Sequence, residues 1–201
     1  AVPAQIYGIT GSSAWVGLTG LFGLVPLIVF GLYGGALADA MDRRTLLSIT
    51  TLGLIATSAL FFVQAALGLH NVWLILGLFA VQQAFFAVNQ PTRSAVYPRI
   101  LPPELLPAAN TLGMTVFTGG AIAGPLVGGA LIPLLGFWWL YLVDTICLFA
   151  TLWAVISLPP LPVEQAAGST PGLRSVVDGF VYLATQPVLL MSFVVDLIAM
   201  V

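Results

Sequence analysis

The chain has 201 residues, of which 60% are hydrophobic and 6% charged, with a formal net charge of −2 at pH 7. Soluble domains carry about 25% charged residues, so this composition excludes a soluble globule, whose surface needs polar cover. The small net charge gives no support to a nucleic-acid partner, and a single cysteine, Cys147, excludes a disulfide framework and a zinc site.

What remains is an all-α polytopic membrane protein, and its charges divide it into membrane-sized blocks. The tail of a first span covers 1–8 and is followed by a turn at Gly11-Ser12-Ser13. A complete span runs over 14–37 and ends at Arg43 and Arg44. No charged residue separates Arg44 from Arg93, which leaves room for spans at 46–67 and 72–90, each needing about 20 residues. The turn between them falls at Gly68-Leu69-His70-Asn71, where His70 reads as a solvated loop residue. Arg93 and Arg99 follow. Between Glu104 and Asp144 the chain is again uncharged, with spans at 108–132 and 137–158 parted by Pro133-Leu134-Leu135-Gly136.

Beyond the bundle, at 1–158, the segment 159–186 reads as a cytoplasmic linker, rich in Pro, Gly and small polar residues at its start. Within it Leu173, Val176, Val177, Phe180 and Leu183 follow helical spacing, as in an amphipathic helix at a membrane surface. A further span begins at 187 and reaches Val201. No signal peptide is visible. The apolar segments at both ends are shorter than a bilayer requires, so the expectation is a fragment of a longer protein.

The basic residues test this division. Arg43, Arg44, Arg93, Arg99 and Arg174 all follow alternate spans, and the turns at Gly11, His70 and Gly136 carry none. Basic residues collect on cytoplasmic loops, so the loops bearing Arg43, Arg93, Arg99 and Arg174 are expected on the cytoplasmic side of a cell membrane.

Two motifs add a family. Gly34-Gly35-Ala36-Leu37-Ala38-Asp39-Ala40-Met41-Asp42-Arg43-Arg44 is similar to the loop signature of the major facilitator superfamily, a Gly-x-Leu-Ala-Asp run followed by a basic pair. In such a signature a small residue, here Gly35 ahead of Leu37, lets two helices approach and turn tightly, Asp39 can face a helix N-terminus, and Arg43 and Arg44 can pair with acidic groups or lipid head groups. Ala40 replaces a basic residue of that signature and Asp42 a glycine. Gly120, Gly124, Pro125, Gly128 and Gly129 match the superfamily's antiporter motif, Gly-x-x-x-Gly-Pro-x-x-Gly-Gly. Glycines at this spacing permit close helix contact, and a proline can kink a helix. With Gln5-Ile6-Tyr7, Thr10-Gly11-Ser12-Ser13, Pro91-Thr92-Arg93 and Ala108-Ala109-Asn110, the chain most resembles the bacterial multidrug, macrolide-efflux and enterobactin-exporter branch. The superfamily's frequent intramembrane arginine on helix four is missing. Gly34-Gly35-Ala36-Leu37 recurs as Gly128-Gly129-Ala130-Leu131, as inverted repeats would have it.

The resemblance implies the N-terminal six-helix bundle of the major facilitator fold, from the end of helix one to the start of helix seven. It also implies secondary active export of a small amphipathic compound, a drug or siderophore, by alternating access. The partners would be that substrate, protons, the lipid bilayer and a missing C-terminal half. A transport-inactive scaffold or sensor with the same fold is the alternative. No cofactor or metal is called for, and an intramembrane enzyme would need a cluster of His, Asp or nucleophilic residues that is not present.

Ionisable residues at membrane depth are functional candidates. Asp196 lies about 14 Å along a helix from Pro187 at 1.5 Å per residue, near mid-bilayer, and Asp144 lies closer to the outer face. Either is a candidate proton carrier. Gln82, Phe86 and Asn89 share one helix face and form a candidate cavity wall, with Gln5 on helix one as a possible addition.

Overall fold

The computed structural model describes residues 1–159 and Met191, apart from the side chains of Gly35, Ala36, Ala38, Asp39 and Ala40. The amphipathic segment, Arg174, Asp196 and the span from 187 lie outside the described residues. Within them the fold is all α. In order it comprises α1 (Val2–Thr10), α2 (Ser13–Ala40), α3 (Arg43–Ala66), α4 (Val72–Ser94), α5 (Tyr97–Ile100), a 3-10 turn (Pro103–Leu105) and α6 (Leu106–Ile156). Gly136 interrupts α6 with φ 74° and ψ 172°, a backbone region that glycine alone occupies cheaply. The two arms of α6, 106–135 and 137–156, are the two spans expected around Pro133–Gly136. Four segments, Ser13–Gly34, Arg43–Ala66, Val72–Ile100 and Pro103–Ile156, are long and apolar enough to cross a membrane.

Local chemistry sets the ends. Gly11 closes α1 in the left-handed region at φ 62° and donates its N–H to the Tyr7 carbonyl, a glycine C-cap. Asp42 starts α3, its Oδ2 accepting from the Thr45 N–H and hydroxyl, each at 3.0 Å. The aspartate that departs from the family signature is thus an N-cap. Asn71 starts α4 in the same manner, accepting from the Leu74 N–H at 3.2 Å. Serines and threonines inside the helices return their hydroxyl protons to carbonyls one turn back, as Thr92 does to Val88 at 2.7 Å and Thr145 to Tyr141 at 2.7 Å. Lipid cannot supply those partners.

α4 runs further than expected, through Pro91 to Ser94. The proline removes one backbone donor, yet the helix continues because both sides of the break are held. Val88 packs on α2 at Gly34, Asn89 bonds to α3, and the Arg43 guanidinium donates to the Ala95 carbonyl at 2.6 Å. Arg44 does the same for the Ile156 carbonyl at the end of α6, also at 2.6 Å. The basic pair therefore caps two helix C-termini, where backbone carbonyls concentrate negative charge, rather than meeting acidic side chains. These arginines, Arg93 and Arg99 all lie at one end of the bundle. The turns at Gly11, Gly68 to Asn71 and Gly136 lie at the other, with Trp15 and Trp73 in edge-to-face contact (ring centroids 5.2 Å apart) and Trp138 against Trp139. Indole rings at one level are the mark of a membrane–water boundary.

α2 packs along α4, α3 packs on α4 and α6, and α1 on α2 and α4. The apolar core gathers Val2 and Ile6 of α1, Phe61 of α3, Ile75 and Leu76 of α4, and Tyr141 of α6. Three glycines make the close approaches, among them Gly23, where a Cβ would lie 2.9 Å from Cε1 of Phe79. A Cβ at Gly53 would lie 2.5 Å from Cε1 and Cζ of Phe85, and one at Gly34 would lie 3.1 Å from the Val88 Cα. The antiporter-motif glycines behave differently. Nothing among the described residues lies within 4 Å of a Cβ placed at Gly120, Gly124, Gly128 or Gly129, and the arm carrying them is largely exposed. The close contact expected of that motif is not made within the described bundle, and the helix runs through Pro125 without a non-helical residue.

Two substitutions measure these contacts. Gly53→Val forces the Phe85 ring out of its seat and is expected to cost about 1–3 kcal/mol, read as a lower thermal unfolding midpoint in detergent, whereas Gly77→Ala, facing open space, leaves the midpoint unchanged or raised. Arg43→Ala removes a charge-assisted bond at a helix end and is expected to cost about 1–2 kcal/mol, with Arg43→Lys restoring part of it in the same assay.

Candidate functional site

The candidate wall on α4 is a real surface of the bundle. Gln82, Phe86 and Asn89 line one cavity of about 270 Å³ together with Thr51 and Leu54 of α3 and Asp144, Leu148 and Thr151 of the second arm of α6. Helical spacing on α4 and the packing of α3 against α6 bring these groups together, although Asp144 is far from α4 in sequence. Gln82 has no hydrogen-bonding partner among the described residues. Asn89 is partly committed, because its Nδ2 donates to the Thr50 and Thr51 hydroxyls at 2.9 and 3.2 Å. That amide therefore braces α4 on α3 while lining the cavity.

Extension of α4 changes what the cavity holds. Arg93 belongs to the last turn of the helix, continuing the Gln82–Phe86–Asn89 face by another turn, and lines the same cavity. Arg93 stands at the inner end of the helix, in its last turn, and not at the mid-membrane level of the superfamily's arginine. Gln83 and Gln90 join the lining too, giving α4 four carboxamides, one aromatic ring and one cation around the space. Arg93 and Asp144 are its charged groups.

Asp144 is anchored rather than loose. Ser58 of α3 donates to its Oδ2 at 2.6 Å, and the Thr145 hydroxyl lies 3.1 Å from the Ser58 oxygen. A second cavity of about 340 Å³, lined by Val2, Phe79, Gln82, Leu140 and Tyr141, also opens on this carboxylate.

Gln5 stands elsewhere. It is buried, exchanges two amide bonds with Gln64 of α3 at 3.2 and 3.3 Å, and accepts from the Tyr141 hydroxyl at 2.8 Å. Tyr141 in turn stacks on Phe61, with ring centroids 5.0 Å apart and planes at 16°. Gln5 thus does not join Gln82, Phe86 and Asn89 but lines a cavity of about 230 Å³ with Gln64, Gly68, His70 and Trp138 at the turn end. Gln64, Ser58, Tyr141 and Thr145 were missed in the sequence because each is a lone polar residue in an apolar run. Ser58 and Gln64, nearly two turns apart on α3, were the available signal.

Of the two motifs, Leu37 is exposed, while the side-chain surroundings of Gly35 and Asp39 lie outside the described residues. Among the described residues, none of either motif lines the cavities that hold Asp144. Among the described residues no group of His, Cys, Asp and Glu could hold a metal ion.

Comparison with known proteins follows the same direction. The profile of the transmembrane secretion effector family matches residues 6–200. The enterobactin exporter EntS of Shigella boydii serotype 18 is 30% identical over 193 residues, which is 93% of this chain and 45% of that protein. The enterobactin exporter EntS of Escherichia coli O1:K1 aligns with the same identity and coverage. The chain thus spans about half the length of the curated relatives it matches. No solved structure matches it. An all-helical bundle of membrane-crossing length, carrying both signature motifs and matched over nearly all its length, belongs to the transmembrane secretion effector family of the major facilitator superfamily of transporters.

Proposed function

We propose that this chain forms part of a proton-coupled exporter of a small amphipathic compound, a drug or a siderophore, working by alternating access in a cell membrane. The observation that carries the reading is the cavity walled by Gln82, Phe86 and Asn89 and closed by Asp144. An amphipathic solute needs both an aromatic or apolar surface and hydrogen-bonding groups, and the wall offers Phe86 beside a row of carboxamides. Coupling needs a group whose protonation differs between two states of the carrier, and a carboxylate held between α3 and α6 beside that wall is suited to the task. The names of the relatives, enterobactin exporters, favour a siderophore-like substrate. The other half of the cavity would come from a second bundle, because transporters of this kind place the site between two repeats. The basic end, with Arg43, Arg44, Arg93 and Arg99, is assigned to the cytoplasm by the positive-inside rule. Asp39, with the glycines of both motifs, serves the helix contacts that move. Asp196 is a second candidate carboxylate on sequence grounds alone.

The test is gradient-driven uptake into proteoliposomes of the protein at its full encoded length, with enterobactin and the dye Hoechst 33342 as probes. Uptake of at least one probe on imposing a pH gradient is expected, and no gradient-dependent flux of either would favour a transport-inactive scaffold. In the same assay Asp144→Asn is expected to lower driven uptake at least tenfold while substrate exchange at equal pH persists; full driven uptake would remove Asp144 from the coupling step. Contact is tested separately, in a Cys147→Ser background because Cys147 is exposed. Alkylation of Gln82→Cys is expected to slow at least threefold when the transported probe is present, and equal rates would place the substrate elsewhere.

A further inference from the structure

We infer that Arg93 is the charge-selecting group of the transport site, and that the compound carried is an organic anion, an apolar or aromatic body bearing an acidic oxygen group. The inference names the substrate class within the exporter reading and rests on that reading.

Arg93 is the arginine at the inner end whose guanidinium the fold leaves unspent. Arg43 gives its guanidinium to the Ala95 carbonyl and Arg44 to that of Ile156, and Arg99 is likewise engaged. Among the described residues the Arg93 guanidinium makes no hydrogen bond or ion pair. A cation in the last turn of α4 would suit the carbonyls of that helix end, but Arg43 already serves them at Ala95. The positive-inside preference asks only for basic residues near this end, and Arg99 in α5 meets it. Neither requirement explains why Arg93 lines three separate cavities.

Those cavities set what the guanidinium can hold. The smallest, about 190 Å³, lies between α3, α4, α5 and the second arm of α6, and the next is the 270 Å³ space shared with Asp144. The third, about 850 Å³, opens between the inner end of α4 and the first arm of α6. Small-molecule sites run to about 300–1,000 Å³, so this space is of ligand size. Phe86, Phe117 and Tyr97 give it an aromatic surface, and Gln90 and Asn110 add hydrogen-bonding groups. Arg93 is the one charged residue among the described residues that line it. Phe86, Gln90 and Arg93 stand at i, i+4 and i+7 on α4 and face both the 850 and the 270 Å³ cavities. A ligand held along this stripe therefore reaches from the inner end toward Asp144.

The electrostatics select one sign of charge. Arg93 and Asp144 line the 270 Å³ cavity without an ion pair between them, so no carboxylate neutralises the guanidinium. Its planar fork of N–H donors matches a carboxylate or another acidic oxygen group. A cationic solute in the 850 Å³ cavity would meet like charge, with no acidic residue in the described lining to offset it. An anionic lipid headgroup offers the same oxygen chemistry as an anionic solute at this level of a bilayer, and the experiment separates the two.

It uses the full-length protein in proteoliposomes of phosphatidylcholine, with two probes that share a xanthene ring system and differ in charge, anionic fluorescein and cationic rhodamine 123. The parent is expected to take up fluorescein at least tenfold faster than rhodamine 123. Arg93→Gln is expected to raise the fluorescein KM at least tenfold with the maximal rate within threefold. Arg93→Lys, which keeps the charge but not the fork, is expected to recover part of the loss. Equal uptake of the two probes, a preference for rhodamine 123, or an unchanged fluorescein KM in Arg93→Gln overturns the proposal. Where Arg93→Gln fails to fold, the parent's preference between the probes decides. Binding is read separately as alkylation of Ser94→Cys in the Cys147→Ser background, since Ser94 lines the 850 Å³ cavity. Fluorescein is expected to slow it at least threefold, rhodamine 123 to leave it unchanged, and Arg93→Gln to abolish the protection. Slowing by phosphatidylglycerol in the vesicles, with none from fluorescein in phosphatidylcholine alone, marks a lipid headgroup site and overturns the substrate role. A parent that carries neither probe is judged on alkylation: protection that Arg93→Gln abolishes upholds the anion site and counts against the exporter reading, whereas its absence overturns the anion site.

Discussion

The bilayer interior offers no hydrogen-bonding solvent, and the arrangement of this bundle follows from that one constraint. A buried polar atom without a partner costs several kcal/mol there, so each must be matched within the protein. Among the described residues no buried side-chain nitrogen or oxygen lacks a partner. Most hydroxyls turn back on their own helices, while the Gln5, Gln64 and Asn89 amides and the Asp144 carboxylate bond across to another helix. These cross-helix bonds therefore fix which faces of α1, α3, α4 and α6 meet. The apolar core around Phe61 then fills the space those bonds define.

Attraction between helices has a second source, because lipid tails are as apolar as leucine and burial of apolar surface drives little association. Shape fit has to do more. The seat of the Phe85 ring against Gly53 and of Val88 against Gly34 are such fits, and both lie on α4. Helix α4 is thereby pinned on two sides, to α2 through glycine and to α3 through glycine and Asn89. This explains why it carries straight through Pro91, where an isolated helix would stop. The antiporter-motif glycines share the composition of Gly34 but not its situation. Their open face is consistent with a chain that spans about half the length of its relatives.

How much of this could be read beforehand divides along physical lines. The spans were legible because hydropathy and charge are additive along the chain: the gap from Arg44 to Arg93 admits two helices whatever they touch. Turns were legible where glycine had to adopt positive φ, at Gly11, Gly68 and Gly136. The end of α4 was placed at 90, ahead of Pro91, whereas its continuation to Ser94 is held by tertiary contacts through Val88, Asn89 and Arg43. The Gln82–Phe86–Asn89 face was visible as a helical period, but Asp144 joins it only through the packing of α3 on α6. Gln5 was selected for the right property, polarity at depth, and assigned to the wrong neighbours. Depth is encoded in one helix, whereas partnership depends on the rotation of three.

That distinction bears on how a transporter couples. Asp144 bonds to Ser58 of α3, faces Gln82 of α4 in two cavities, and sits one turn from Tyr141, which bonds to Gln5 of α1. A carboxylate placed at such a junction feels every relative movement of those helices, since rotation of any of them changes its hydrogen bonds or its access to a cavity. Protonation removes one charge and adds one donor at the same point. The reciprocal relation between a ligand and a conformational equilibrium requires that a movement which alters the carboxylate's affinity for a proton is itself biased by the proton. Asp144 is braced by the Ser58 hydroxyl rather than by an arginine, a bond that a shift of α3 against α6 can break and remake. An ion pair at the same place would hold its charge and its position, and would couple nothing.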